Sequence, residues 1–89
     1  MPVNNKHTAP TTTAISIYTF NDSTKFLNVQ NTDLVINIRA GFSVTNLITD
    51  GIQIKPGETW PVPLDGDNGQ LFIVSEGVEL VDKIILIRG

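Results

Sequence analysis

The stretch GIQIKPGETWPVPLDGDNGQLFIV, residues 51–74, sets four glycines and three prolines among residues that elsewhere alternate apolar and polar. Ile52 and Ile54 fall on one face of an extended chain, Gln53 and Lys55 on the other. KPGE then reads as a turn: proline presets φ at its second position and glycine takes the positive φ that type II requires at its third. Residues 52–54 and 60–62 become the arms of a hairpin or two adjacent extended segments. Trp60, Val62 and Leu64 share a face, while Pro61 and Pro63 on the opposite face carry no N–H. That places TWPVPL at a sheet edge or in an extended linker. QLFIVS, apolar without a break, suits a strand covered on both faces.

The same period of two runs outward from this stretch. AISIYTF is rich in β-branched and aromatic residues and is broken by NDS. Leu27 and Val29 alternate with Asn28 and Gln30. In DLVINIR, residues 33–39, Leu34, Ile36 and Ile38 alternate with Val35, Asn37 and Arg39, which predicts a half-buried strand. GFSVTNL continues the pattern, and DKIILIRG closes the chain in the style of QLFIVS. No window predicts a helix, a single turn over Gly77–Asp82 being the most permissive place for one. Short strands with turn signals every eight to twelve residues predict an all-β fold: a compact antiparallel β-sandwich or small barrel of seven to eight strands.

Residues 1–13, MPVNNKHTAPTTT, hold little apolar side chain and cannot offset their ordering entropy by burial. They predict a flexible, extended N-terminal arm: either a frayed tail, or an arm that orders only against a neighbouring subunit, with Val3 and Pro10 as its footholds. Residues 14–89 are expected to form a single β-sandwich domain.

At 89 residues the chain makes one domain with a thin core. There is no cysteine, so neither a disulfide nor a thiolate metal site can reinforce it, and one histidine, His7, builds no metal site. Oligomerisation, or docking on a larger body, is the supplement left. The net charge is −3 and the six basic residues are scattered singly, which speaks against a nucleic-acid partner. No apolar run approaches the ~20 residues of a membrane span, and the N-terminus lacks the apolar core of a signal peptide. These features predict a protein retained in a cytoplasm, or a virion protein assembled in a host's.

Candidate sites test poorly. DGDNG offers Asp65 and Asp67 to a hard cation, but read as an EF-hand loop it has Gly69 at position five and Gln70 where the glycine is required. A solvated turn is the expectation, with no metal and no cofactor. Glu76 and Glu79 point to opposite faces of an extended strand, and no histidine or cysteine of the folded region can activate a nucleophile. No enzyme is expected, nor a small-molecule ligand. Trp60 suits core or subunit interface, or alternatively a stacking platform for sugar. Phe72 and Val74 in QLFIVS, with Ile85 and Ile87 in KIILI, need cover on a second face and predict an interface.

The cadence of Asn31–Thr32, Gly41, Gly51-Ile52-x-Ile54-x-Pro56-Gly57-Glu58 and the late strand Leu71–Ser75 resembles small β-sandwich domains of tailed-phage virion proteins. Such domains occur in head-decoration, head-fibre and tail-associated proteins. The likeness spans residues 29–75, about half the chain, and Trp-Pro-Val-Pro departs from it. It implies a non-enzymatic structural protein that oligomerises and binds the capsid lattice, its partners being the major capsid protein or other virion proteins. The alternatives are a head–tail connector, fibre or tail component, and a carbohydrate-binding host-recognition module using Trp60.

Overall fold

The computed structural model describes residues 3–20, 24–64 and 69–89. Its elements are β1 (Val3–Ala9), β2 (Ile15–Thr19), β3 (Leu27–Asn31), β4 (Ile38–Gly41), α1 (Leu47–Asp50), β5 (Ile52–Ile54), β6 (Thr59–Pro61), β7 (Gln70–Ser75) and β8 (Leu80–Arg88). The strands form two antiparallel sheets, ordered β1-β8-β3-β6 and β2-β7-β4-β5. The first strand pairs with the last, the second with the seventh, the third with the sixth and the fourth with the fifth. The chain is thus one long hairpin, its tip between β4 and β5, wrapped into two layers. That order is the jelly roll. The all-β antiparallel sandwich read from the period-two pattern is what the chain forms.

Alternation places the core. Leu27 and Val29 of β3 and Ile84 and Leu86 of β8 face Ile38, Ala40, Ile54, Leu71 and Ile73 of the other sheet, all at most 2% exposed. Each large aliphatic side chain among them contributes about 1.5–3 kcal/mol on leaving water. A one-residue slip of any strand would therefore turn several of them out to solvent.

Residues 3–9, expected as a flexible arm, instead form β1, paired with β8 from Val3–Arg88 to Ala9–Leu80. The physical reason lies in the backbone. Asn4 and Lys6 sit on the solvent side of an edge strand, and β8 supplies the ladder, so few apolar side chains are needed. Ala9 is fully buried. The expected domain boundary at residue 14 thus falls inside the sandwich. Between His7 and Ala9 the register jumps from Ile84 to Leu80, so β8 carries extra residues. Asp82 sits in this bulge at φ 54°, its N–H donating to Thr8 Oγ1 at 3.2 Å. The turn over Gly77–Asp82 is therefore a bend and a bulged strand, not helix.

Two further expectations are corrected. The strand predicted over residues 33–39 begins only at Ile38, because Asp33 turns the chain first. Its carboxylate accepts from the N–H groups of Val35 at 3.0 Å and Ile36 at 2.7 Å, a local bonding pattern that competes with a ladder. Leu34 and Val35 are left 89% and 77% exposed. The pattern in GFSVTNL likewise ends in α1, where Thr49 and Asp50 N–H groups donate to the Asn46 carbonyl.

KPGE forms the expected turn, with Gly57 at φ 81° and Glu58 N–H donating to the Lys55 carbonyl at 3.0 Å. It joins β5 in one sheet to β6 in the other, so its arms are adjacent segments and the turn is a corner of the sandwich. β6 lies at a sheet edge, where Pro61 opposes Asn28 and its missing N–H costs little.

Candidate functional site

Three connections meet at one end of the sandwich: residues 32–37, 55–58 and 76–79. Asn31, fully buried, ties the first two together. Its side-chain amide donates to the carbonyls of Ile36 (2.8 Å) and Ile54 (3.1 Å), and its Oδ1 accepts from Asp33 N–H (3.0 Å). Its backbone bonds Gly57 and Glu58. The third connection joins through Glu76, whose N–H donates to the Asn37 carbonyl at 3.0 Å. The Glu76 carboxylate pairs with Arg39 Nε at 3.0 Å and accepts from Gln53 Nε2 at 2.8 Å. Ile36 packs on Gly77, leaving no room there for a Cβ. Thr32 bonds the Lys83 carbonyl through both its N–H and its hydroxyl.

This fixed frame holds an apolar surface outward. Leu34 and Val35 on one loop, and Val78 and Val81 on and beside the other, are 58–89% exposed. Asp33, Glu79, Asp82 and Lys83 stand among them in sequence, so the rim is mainly acidic. Leu34, Val35 and Val78 on the two bonded loops and Val81 at the start of β8 are thus large aliphatic chains held in water, a feature that exposed contact surfaces often share. Sequence alternation placed Leu34 in the core and did not find this surface. Its signal was the adjacent pair Leu34–Val35 directly after Asn-Thr-Asp: two consecutive apolar residues cannot both face inward, and Asn and Asp start turns.

The residues expected at an interface are not brought together. Trp60 pairs with Val29 and turns inward, half-buried, its ring 6.2 Å from that of Phe42. Phe42, Phe20 and Tyr18 continue this row of rings at 5.7 and 5.4 Å. Trp60 also borders a shallow groove of about 200 Å³ between β5 and β6. Val74, which points to the outer face of its sheet, is only 3% exposed. Its cover comes from its own chain: Thr11, Thr12, Ala14, Val44, Leu47 and Ile48 surround it. Within the single chain α1 and the β1–β2 connection already lie over Val74, so its burial does not require a partner. Phe72, on the same outer face opposite Ser16 and Gly41, is half-buried.

Ile85 and Ile87 face outward from the centre of the other sheet, half-buried in the rows Lys6–Ile85–Gln30–Thr59 and Asn4–Ile87–Asn28–Pro61. Polar neighbours on both sides shelter them. Pro10 is half-buried where its carbonyl accepts from Ser75 N–H at 2.7 Å. The side chain of Val3 lies outside the described residues, as do Asp65 and Asp67.

Among the described residues no three of His, Cys, Asp or Glu gather as a metal-binding group. Glu76 is held by Arg39 and Gln53, and Glu79 is exposed. His7 lies inward on β1, opposite Ile84, with its Nε2 buried and unbonded among the described residues. Burial holds its pKa below the ordinary value. The Asp33 carboxyl is held below its ordinary value by the N–H groups of Ile36 and Val35. Among the described residues no helix is long and apolar enough to cross a membrane.

Comparison with protein-family models, with curated proteins and with solved structures gave no match to this chain.

Proposed function

We propose that this protein is a non-enzymatic structural component of a virus particle, present in several copies and seated on the capsid lattice of a phage head. The observation that carries this reading is the apolar end. Leu34, Val35 and Val78 stand exposed on loops that Asn31, Thr32 and Glu76 hold in one arrangement, with Val81 exposed beside them at the start of β8. A surface fixed before contact loses little entropy on docking. The jelly-roll order supports the reading by analogy of fold, since viral coat domains are among those built this way. The acidic rim suits a capsid surface with an apolar recess bordered by lysine or arginine. Trp60, turned inward beside Phe42, does not favour a sugar-binding module built on that residue.

The test is to purify particles of the virus that encodes the chain and count its copies by quantitative mass spectrometry. The reading expects copies in fixed ratio to the major capsid protein, retained through gradient purification. Particles that carry none would overturn it.

A further inference from the structure

Each sheet ends in two edge strands, and three of those four edges are blunted. On β6, the Asn31–Glu58 and Val62–Leu27 backbone bonds turn Glu58, Trp60 and Val62 toward β3. Thr59 and Pro61 therefore face outward, where proline has no N–H to offer. On β5 the outward backbone belongs to Gly51, Gln53 and Lys55. Gly51 gives its N–H to the Leu47 carbonyl, and its own carbonyl accepts from Arg39. Lys55 bonds Glu58 through both its backbone groups, which leaves only Gln53. On β2 a bulge inserts Ile17 between the pairs Ser16–Phe72 and Tyr18–Leu71. β1 has none of these devices. Thr32 N–H donates to the Lys83 carbonyl, which sets the ladder bonds of Lys83, Ile85 and Ile87 toward β3. Ile84, Leu86 and Arg88 then bond His7, Asn5 and Val3, so Asn4, Lys6 and Thr8 aim their N–H and C=O groups away from the sheet. No described residue bonds those groups. The strand is seven residues long and free of proline, and the bulge beside Ala9 belongs to β8.

We infer that β1 pairs with the β1 of a second copy of this chain, antiparallel about a two-fold axis, to make one continuous sheet. The edges themselves identify the partner strand, because a second copy offers no other open strand among its described residues. Such a contact closes on itself and stops at a dimer. The charge of Lys6 sets the register. Pairing centred on Lys6 puts two ammonium groups opposite each other, a destabilising cross-strand pair. Pairing centred on His7 draws in the end of the strand beside the Asp82 bulge, where the edge bends away. Pairing centred on Asn5 sets Asn4 opposite Lys6 of the second copy on both sides of the axis. Each such pair exchanges its N–H···O bonds. The dimer gives a contact to the proposed presence in several copies, but it rests on the edges alone and needs no capsid.

The experiment is sedimentation equilibrium of the purified protein alone, from about 10 μM to about 1 mM, beside residue-resolved amide exchange at both ends of that range. A contact this small belongs among weak interfaces, so a dimer with a Kd on the order of 10–100 μM is expected. At low concentration the Asn5 and His7 amides exchange slowly and those of Asn4 and Lys6 freely. At high concentration Asn4 and Lys6 are expected to slow about threefold or more. Lys6→Pro removes an outward N–H and no bond to β8, and is expected to weaken the dimer about tenfold or more. Asn5→Lys sets like charges across the axis and serves as the second variant should Lys6→Pro unsettle β1. It is expected to weaken the dimer most at low salt. A wild type that stays monomeric throughout the range overturns the proposal. So do Asn4 and Lys6 amides whose exchange ignores concentration, or a dimer unchanged in both variants.

Discussion

Gly57 donates its N–H to the carbonyl of Asn31 at 2.8 Å, while the N–H of Asn31 donates to the neighbouring Glu58 carbonyl at 3.0 Å. The corner where the chain crosses from one sheet to the other is thereby locked to the end of β3. Because Asn31 also bonds the carbonyls of Ile36 and Ile54 and the N–H of Asp33, one buried amide sets the shape of the apolar end.

Asn31→Ala leaves two carbonyls and one N–H near the core without their partner. Unsatisfied buried groups cost about 1–3 kcal/mol, so thermal denaturation is expected to show a Tm lower on the order of 10 °C. Gly57→Ala is milder. A Cβ there meets nothing within 4 Å, so only the positive φ of 81° opposes it. That strain is worth about 1–2 kcal/mol.

β1 is expected to be part of the folded unit even in an isolated monomer. Hydrogen exchange measured by NMR should show slow amides within residues 3–9, as in β3, because β8 closes the ladder. Removing residues 1–9 uncovers one side of β8 and is expected to abolish cooperative unfolding. Free exchange throughout 3–9 would refute the edge-strand assignment.

Acid is expected to destabilise the protein through two groups. Both have a folded pKa below the unfolded one, so the unfolded chain takes up the proton first as pH falls. For His7, whose cause is burial, the contribution is complete above its ordinary 6.5 and is lost as pH drops below it. For Asp33, held by the N–H groups of Ile36 and Val35, the loss runs through its ordinary 3.8 toward the lower folded value. His7→Gln should flatten the dependence of Tm on pH between about 7 and 5, and Asp33→Asn the dependence at more acid pH.

The cover over β7 gives a stability contrast. Val74→Asp places a charge beneath Leu47 and Ile48 and is expected to prevent folding. Leu34→Ser and Val35→Ser change exposed side chains and are expected to move stability by no more than about 0.5 kcal/mol. Chemical denaturation of the three variants checks both halves.

What the sequence revealed and what it hid divide along one physical line. Period-two alternation exposes which face of a strand is buried, so QLFIVS, KIILI and LNVQN could be placed as strands. Turn chemistry is local, so the Pro56–Gly57 turn and the edge position of Pro61 could be placed as well. The sheet order could not be read, because pairing first strand with last depends on contacts nearly the whole chain apart. β1 was hidden because backbone bonds rather than side-chain burial hold it. The cover of Val74 was hidden because GFSVTNL keeps its alternation up to the short helix that lies over it. The cadence of Asn31, Thr32, Pro56, Gly57 and Glu58 was legible as a pattern, and in the structure most of these residues are bonded to one another or to Lys83. Leu34 was placed in the core, and Val35 in the same strand, whereas the Asp33 carboxylate, not hydrophobic period, decides the conformation of this stretch.

Co-sedimentation with capsids assembled without it tests most directly whether the apolar end seats the protein on a capsid. The wild type is expected to bind saturably and more weakly as salt rises, since the rim is charged. Leu34→Ser combined with Val35→Ser and Val78→Ser is expected to remain in the supernatant while unfolding at the wild-type temperature. A wild type that stays in the supernatant, or a triple variant that pellets as fully as the wild type, would contradict the account.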